Sequence, residues 1–501
     1  MYKKADRILT AVFLTLLSGI FAYWIFTAAA GYTAASVICA GLCALLFGLI
    51  GTRCIGAVLN SVSGGIEPDL TQNLGRRSLR RSYRHPVATL FLILVLVRFA
   101  VFAAAYAILT LQKGYTGGIF DTMGLWLKGD APHYLGIAER WYVTQGDPRF
   151  HIVFFPFYPV LVRLANTLLH NTFASGLLCS LVFTAGAGVL LYELALLDYG
   201  RDTAKRAVAL QMLLPAAFLL SAPMSDGLFL LLSIAVMLLA RKKRYLFACL
   251  LGGLAAFTRV LGVLLLLPVA IELWGEAVRA HAQGGKGMRY FLVRAAALLL
   301  IPLGLAGYLY VNYAVTGNAF TFLIYQHEHW SQGMGWFFDT AAYQTDYLLK
   351  TFFRDKPAAF GLWIPNLLFL LLVPVGILAA QRRQVPAHVS VRAVASAETV
   401  ENSQEFSGDT PADQPAEQIL EPERPPLLRA SYTAYFLAYY CIGMGATWLL
   451  SAPRYLTCCF PLSIALAALS KKRAVAWPLY ALLFIGQIAY LWAYVAGWPV
   501  Y

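Results

Sequence analysis

Long apolar runs recur along this chain, the first at 8–30 and the last at 474–497. A bilayer core about 30 Å thick takes about 20 helical residues to cross. Repeated runs of that length dictate an all-α polytopic membrane protein. Only 13% of the 501 residues are charged, against about 25% in a soluble domain. The net charge of +14 raises the question of nucleic acid, but the basic residues cluster in short segments beside the apolar runs: Lys3/Lys4/Arg7, 76–84, 201–206, 241–244, Arg382/Arg383 and 471–473. That is the pattern of loops held on the cytoplasmic side. The charge therefore reports topology, and no nucleic-acid partner is expected. The run 8–30 is long enough to span and lacks a small-residue cleavage site, so it reads as a span and not a signal peptide. The eight cysteines lie in or beside apolar runs without a CxxC pair, which suits small buried residues better than disulfides or metal ligands.

With the N-terminus inside, spans at 8–30 and 33–52 form a hairpin, followed by a basic cytoplasmic loop to residue 87. A span at 88–110 leads outward and leaves 111–152 as an external loop. The segment 154–169 contains two prolines, Arg163 and Asn166; proline cannot donate a backbone hydrogen bond, so this segment reads as a helix lying along the interface. Spans at 173–197, 204–222 and 225–240 then keep 201–206 and 241–244 inside. The segment 245–274 reads either as one span or as two half-spans meeting near Thr258–Arg259. Only the half-spans keep Arg279, Lys286, Arg289 and Arg294 inside. Non-helical backbone at membrane depth needs cover from protein or a wet cavity, which predicts a cavity near Arg259. Spans at 290–314, 359–380, 430–450, 454–470 and 474–497 complete a bundle of about 11–13 helices. Four regions result: the hairpin and basic loop 1–87, a core 88–380, a linker 381–429 and C-terminal spans 430–501. The linker is rich in Glu, Ala, Pro, Gln and Ser between 385 and 428, a composition unable to bury enough surface to fold.

This topology gathers the unusual polar residues on one external face. The loop 111–152 supplies Asp121, Lys128, Asp130, His133, Glu139, Arg140, Asp147, Arg149 and His151. The tip 221–227 supplies Ser225 and Asp226. The loop 315–358 supplies Asn318, Gln326, His327, Glu328, His329, Trp330 and Asp339, and the tip 451–455 supplies Arg454 and Tyr455. Ionisable groups beside lipid are costly and point to function. An extracytoplasmic membrane enzyme finds little nucleotide sugar, so its activated donor is expected to be lipid-borne. Sugar transfer from a phosphate needs a carboxylate to take the acceptor's proton and cations to hold the departing phosphate, which arginine does bidentately. Asp130, Arg259 and Arg454 offer both. Glu139 and Arg140 also fit a plain surface pair, and Arg454 also fits snorkelling to headgroups. His327 and His329 are two residues apart and would not share a helical face; acceptor binding suits them better than a metal, although a divalent metal stays open.

The motifs carrying these residues resemble those of the PIG-V-type mannosyltransferase family, integral membrane glycosyltransferases of the GT-C class. GDAPHYLGIAERWY (129–142) is similar to its acidic loop through Asp130, His133, Tyr134, Ile137 and Ala138, and FFPFYP follows at 154–159. LLPAAFLLSAPMSDGLF (213–229) matches a Ser-Glu segment through Ser225 and Asp226, and GLAAFTRVLG (253–262) a TR-x-x-G motif through Thr258, Arg259 and Gly262. GNAFTFLIYQHEHW (317–330) matches a loop through Gly317, Phe322 and Gln326, with Trp330 one residue further along than in the pattern. SAPRYLTCCFPL (451–462) matches an RY motif through Arg454 and Tyr455. Gly129 stands where the family has tryptophan, and Asp226 where glutamate is usual. The resemblance implies a GT-C-like bundle with external catalytic loops, a polyprenyl-phosphate mannose donor and a glycan, lipid or protein acceptor. It implies Asp130 as the catalytic base, and the substrate-binding set is then His133, Tyr134, Glu139, Ser225, Asp226, Arg259, Gln326, Trp330, Arg454 and Tyr455. Transport of a lipid or polysaccharide is an alternative, though transporters place ionisable groups at the midplane and show repeats, and no repeat is evident here. A non-catalytic assembly subunit is the other.

Overall fold

The computed structural model describes residues 2–65, 67, 87–381 and 428–501. Most of the basic loop before residue 87 and nearly all of the expected linker fall outside these residues. The described chain is helical, and its one β feature is a single antiparallel bridge between Met334 and Ala446. Eight helical stretches are long and apolar enough to cross a membrane: Lys4–Thr27, Ala34–Val62, Val87–Lys113, Thr172–Tyr199, Val260–Ala282, Gly287–Thr316, Lys356–Ala380 and Arg473–Ala496. The protein is thus a multi-pass helical membrane protein.

The helices used below are α1 (Tyr2–Thr27), α2 (Ala34–Val62), α3 (Val87–Lys113), α4 (Ala131–Arg140), α5 (Phe157–Leu169), α6 (Thr172–Tyr199), α7 (Arg201–Leu213), α8 (Asp226–Arg241), α9 (Tyr245–Ala256), α10 (Leu266–Ala282), α11 (Leu300–Thr316), α12 (Thr321–Trp330), α13 (Phe337–Thr351), α14 (Ile364–Ala380), α15 (Ala430–Gly443), α16 (Ala452–Thr457), α17 (Pro461–Leu469) and α18 (Arg473–Ala496). The expected spans at 204–222, 225–240, 430–450 and 454–470 differ from expectation. They are the shorter helices α7 with 13 residues, α8 with 16, α15 with 14, and the broken pair α16 and α17 with 6 and 9. The reason is burial. Nearly every residue of α8 is enclosed by protein, and a helix that does not meet lipid need not match the bilayer's thickness. Prolines at 215, 223, 453 and 461 also interrupt these segments.

The segment 154–169 forms the 13-residue helix α5, which the 3-10 turn Asp147–Val153 meets at 112° across Pro156. The break expected near Thr258–Arg259 is present, between α9 and the 3-10 turn Val260–Leu265, which runs into α10. The two parts are unequal, because α9 has 12 residues while Val260–Ala282 alone is long enough to span. Gly262 makes the reversal possible. A Cβ there would sit 2.3 Å from the carbonyl carbon of Ala255, so only glycine lets the turn fold back on α9.

The N-terminal hairpin is fastened to α13: Asp339 accepts from Trp24 Nε1 at 2.8 Å and from the Tyr32 hydroxyl at 3.0 Å. Asp339, grouped above with the external polar residues, is therefore an anchor. At the end of the bundle carrying 241–244, a buried ion network ties four helices. Arg241 donates to Asp198 at 2.7 Å, Arg429 holds Glu272 through two 3.0 Å bonds, Ser431 donates to Glu272 at 2.6 Å and Tyr432 to Asp198 at 2.6 Å.

Candidate functional site

At the other end of α8 lies a second ion cluster, built from four separate segments. Gly129 adopts a φ of +60°, a backbone state that glycine enters without steric cost. The turn it makes puts Asp130 at the position preceding α4. Pro132 in the first turn of α4 costs nothing there, where the missing N–H has no helical partner. The Asp130 side chain makes no capping bond to its own helix; its carboxylate accepts instead from Arg454 Nη2. Arg454 is presented by the short helix α16. Its Nε also lies 3.1 Å from each carboxylate oxygen of Asp226. Asp226, the first residue of α8, binds Arg259 Nη2 at 2.8 Å as well. Arg259 is extended at the α9 break, which lets it reach across to α8.

The second shell of contacts is aromatic and hydroxylic. Arg259 Nε donates to Ser225 Oγ at 3.0 Å, and Ser225 shares a 2.7 Å hydrogen bond with the Tyr134 hydroxyl. The Arg259 guanidinium sits 5.3 Å from the Tyr455 ring and 5.9 Å from the Phe229 ring, both within cation–π range. The cavity expected beside Arg259 is therefore filled by Asp226, Ser225 and these rings. One polar edge stays unused: Arg259 Nη1 is buried and has no hydrogen-bond partner. Asp226 is fully enclosed, whereas the Asp130 side chain keeps 30% of its surface open.

Beside Asp130 stands a wall of rings. His133 Nδ1 lies 3.0 Å from His151 Nε2, so one of the two nitrogens carries the shared proton. His133 stacks on Phe154 with centroids 4.8 Å apart and meets the edge of Trp330 at 6.3 Å. Burial pushes the His133 imidazole below its ordinary value; Asp130 opposes this and His329 adds to it. His329 stacks on Phe150 at 4.2 Å.

Of the residues expected at the site, Asp130, His133, Tyr134, Ser225, Asp226, Arg259, Trp330, Arg454 and Tyr455 converge. Glu139 does not: it is exposed, and its backbone carbonyl accepts from Arg163. It falls on the solvent face of α4, whose buried face carries Tyr134, Ile137 and Ala138. Gln326 turns aside too, donating to the Gln332 side chain, which itself bonds the Trp448 carbonyl. Lys128 is committed to the Tyr494 carbonyl at 2.8 Å. His151 and Phe154 also belong to the site; the sequence offers the histidine as one polar residue among many and Phe154 only as the first residue of FFPFYP. Among the described residues no group of three or more His, Cys, Asp or Glu could hold a metal ion. A largely apolar cavity of about 610 Å³ between α3, α6, α7 and α18 includes none of the four charged residues. Compared with known protein-family models, curated proteins and solved structures, the chain matches none.

Proposed function

We propose that the protein is a membrane glycosyltransferase that moves a sugar, mannose by the motif resemblance, from a polyprenyl-phosphate donor to an acceptor hydroxyl outside the cell membrane. One observation carries this reading. Arg454 is a buried fork joining an enclosed carboxylate, Asp226, to an open one, Asp130, beside a second arginine with an unused N–H edge. Two arginines held in this way suit a leaving phosphate, and a carboxylate reaching solvent suits an entering hydroxyl. In the transfer, the acceptor oxygen bonds to the anomeric carbon and gives its proton to Asp130. The bond from that carbon to the phosphate oxygen breaks, and its electron pair leaves with the phosphate, whose added charge the guanidinium groups offset. Asp226 takes no proton in this scheme; it holds both forks in place. Tyr134 and Ser225 brace Arg259, and His133 with Trp330 forms the wall against which the acceptor lies. The polyprenyl chain remains in the bilayer.

The test is transfer by purified protein from radiolabelled polyprenyl-phosphate sugars to candidate acceptors. Transfer from one such donor is expected; folded protein that transfers from none would remove the reading. The sidedness it requires can be read separately. In a cysteine-free background, Thr116→Cys should label with an impermeant reagent from outside intact cells, and Lys243→Cys should not.

A further inference from the structure

In the resting site each arginine is already partly engaged by a carboxylate. Asp226 engages Arg454 Nε and Arg259 Nη2, and Asp130 engages Arg454 Nη2. Arg454 is only 4% exposed, while Asp130 keeps 30% of its side chain open. Asp130 thus lies between the fork and solvent. An anion coming from outside meets Arg454 Nη2 with one of its N–H groups already given to Asp130, and takes that N–H only when Asp130 leaves it. The same contact occupies an oxygen that a general base would offer to an acceptor hydroxyl.

The two carboxylates differ in their freedom to move. Asp226 is enclosed and bracketed by two arginines. Asp130 has one ion-pair partner and no bond to its own helix start.

We propose that the donor phosphate exchanges with Asp130 at Arg454, so that donor binding itself releases the base. This rests on the polyprenyl-phosphate reading above. The phosphate takes Arg454 Nη2 and the unpartnered Arg259 Nη1. Asp130 swings outward, toward the acceptor side and the His133–Trp330 wall. Asp226 keeps both forks aimed throughout. Without donor, the carboxylate stays capped by Arg454 and does not act on stray hydroxyls. The step is an exchange of one anion for another at a guanidinium; no covalent bond changes until the acceptor arrives.

The consequence runs against the usual effect of removing a substrate-site residue. Asp130→Asn should abolish transfer yet bind donor more tightly, because it removes the competitor for Arg454. Simple repulsion between Asp130 and phosphate would also tighten binding, so a double-mutant cycle is needed. The probe is a fluorescent C20 polyprenyl phosphate titrated into detergent-purified full-length protein. Asp130→Asn is expected to lower Kd roughly tenfold, within the range of close charge pairs. In an Arg454→Gln background the same change should have roughly a twofold effect or less. If Arg454→Gln does not fold, Arg454→Met, which fills similar space and leaves Asp226 paired with Arg259, takes its place. Equal or weaker binding by Asp130→Asn overturns the exchange and leaves the donor reading standing. So does a tenfold gain that persists without Arg454. Absence of binding to folded wild-type protein overturns the donor reading and the exchange with it.

Discussion

Helix α8 carries an ion cluster at each end, and at each end two acids pair with two arginines. At its last residue, Arg241 and Arg429 meet Asp198 and Glu272. At its first, Arg259 and Arg454 meet Asp226 and Asp130. They stand roughly 22 Å apart along a helix rising 1.5 Å per residue. Both hold arginine–carboxylate pairs, and their exposure differs. In the first, Asp198 and Glu272 are 3% and 5% exposed, and Ser431 and Tyr432 add further hydrogen bonds. In the second, one acid is open and one arginine edge is unpartnered. A closed cluster fastens helices; an open, incompletely satisfied one has room for a ligand.

The largest expected departure between the clusters is catalytic. Asp130→Asn should cut sugar transfer by about 10²–10⁴-fold, the usual range for loss of a general base, with little change in melting temperature. The mirror-image change is Arg429→Ala. It leaves buried carboxylates uncompensated and should cost about 3–5 kcal/mol of stability, read by thermal unfolding in detergent, while turnover per folded molecule stays near wild type. Next comes the fork. Arg454→Ala should reduce turnover and donor affinity by roughly 10–100-fold, as for lost charge-assisted hydrogen bonds, and Arg454→Lys by less, because lysine keeps the charge and loses the fork. Wild-type kinetics in Arg454→Ala would mean that the arginine does not touch the phosphate.

The smallest effect is on pH dependence, where the two ends should respond with opposite sign. Beside the closed cluster, burial pushes the Glu67 carboxyl up to about 7; Arg429 opposes this and Glu272 adds to it. Between its ordinary value of 4.5 and about 7, the folded protein binds the extra proton, so this group's contribution to stability falls as pH rises through that window. At the open cluster, His133 titrates below its ordinary value of 6.5. There the unfolded chain binds the extra proton, and stability falls as pH drops below that value. Unfolding temperatures followed against pH should show Glu67→Gln flattening the first slope and His133→Asn the second.

Much of this arrangement is legible in the sequence, for identifiable reasons. Prolines in 154–169 mark the sharp bend before α5, and Arg259 inside an apolar run marks a break in the helix. Asp130, Asp226, Arg259 and Arg454 each stand out because a charge in apolar surroundings is costly. What the sequence does not carry is pairing. Arg429 and Glu272 are 157 residues apart, and no spacing rule links them. Asp226 reads from sequence as a substrate contact; in three dimensions it is buried and paired with both Arg259 and Arg454. Glu139 looks as chemical as Asp130, but helix α4 turns it to solvent. Helix length is also not legible, because hydropathy does not separate a helix buried by protein from one bathed in lipid: four expected spans are helices of 16 residues or fewer.

The division of labour between the two clusters is tested most directly by one paired measurement: single-turnover sugar transfer and thermal unfolding on the same preparations of wild type, Asp130→Asn and Arg429→Ala. The account predicts that Asp130→Asn loses transfer and keeps its melting temperature, while Arg429→Ala loses stability and keeps its rate per folded molecule. Wild-type transfer by folded Asp130→Asn would contradict it.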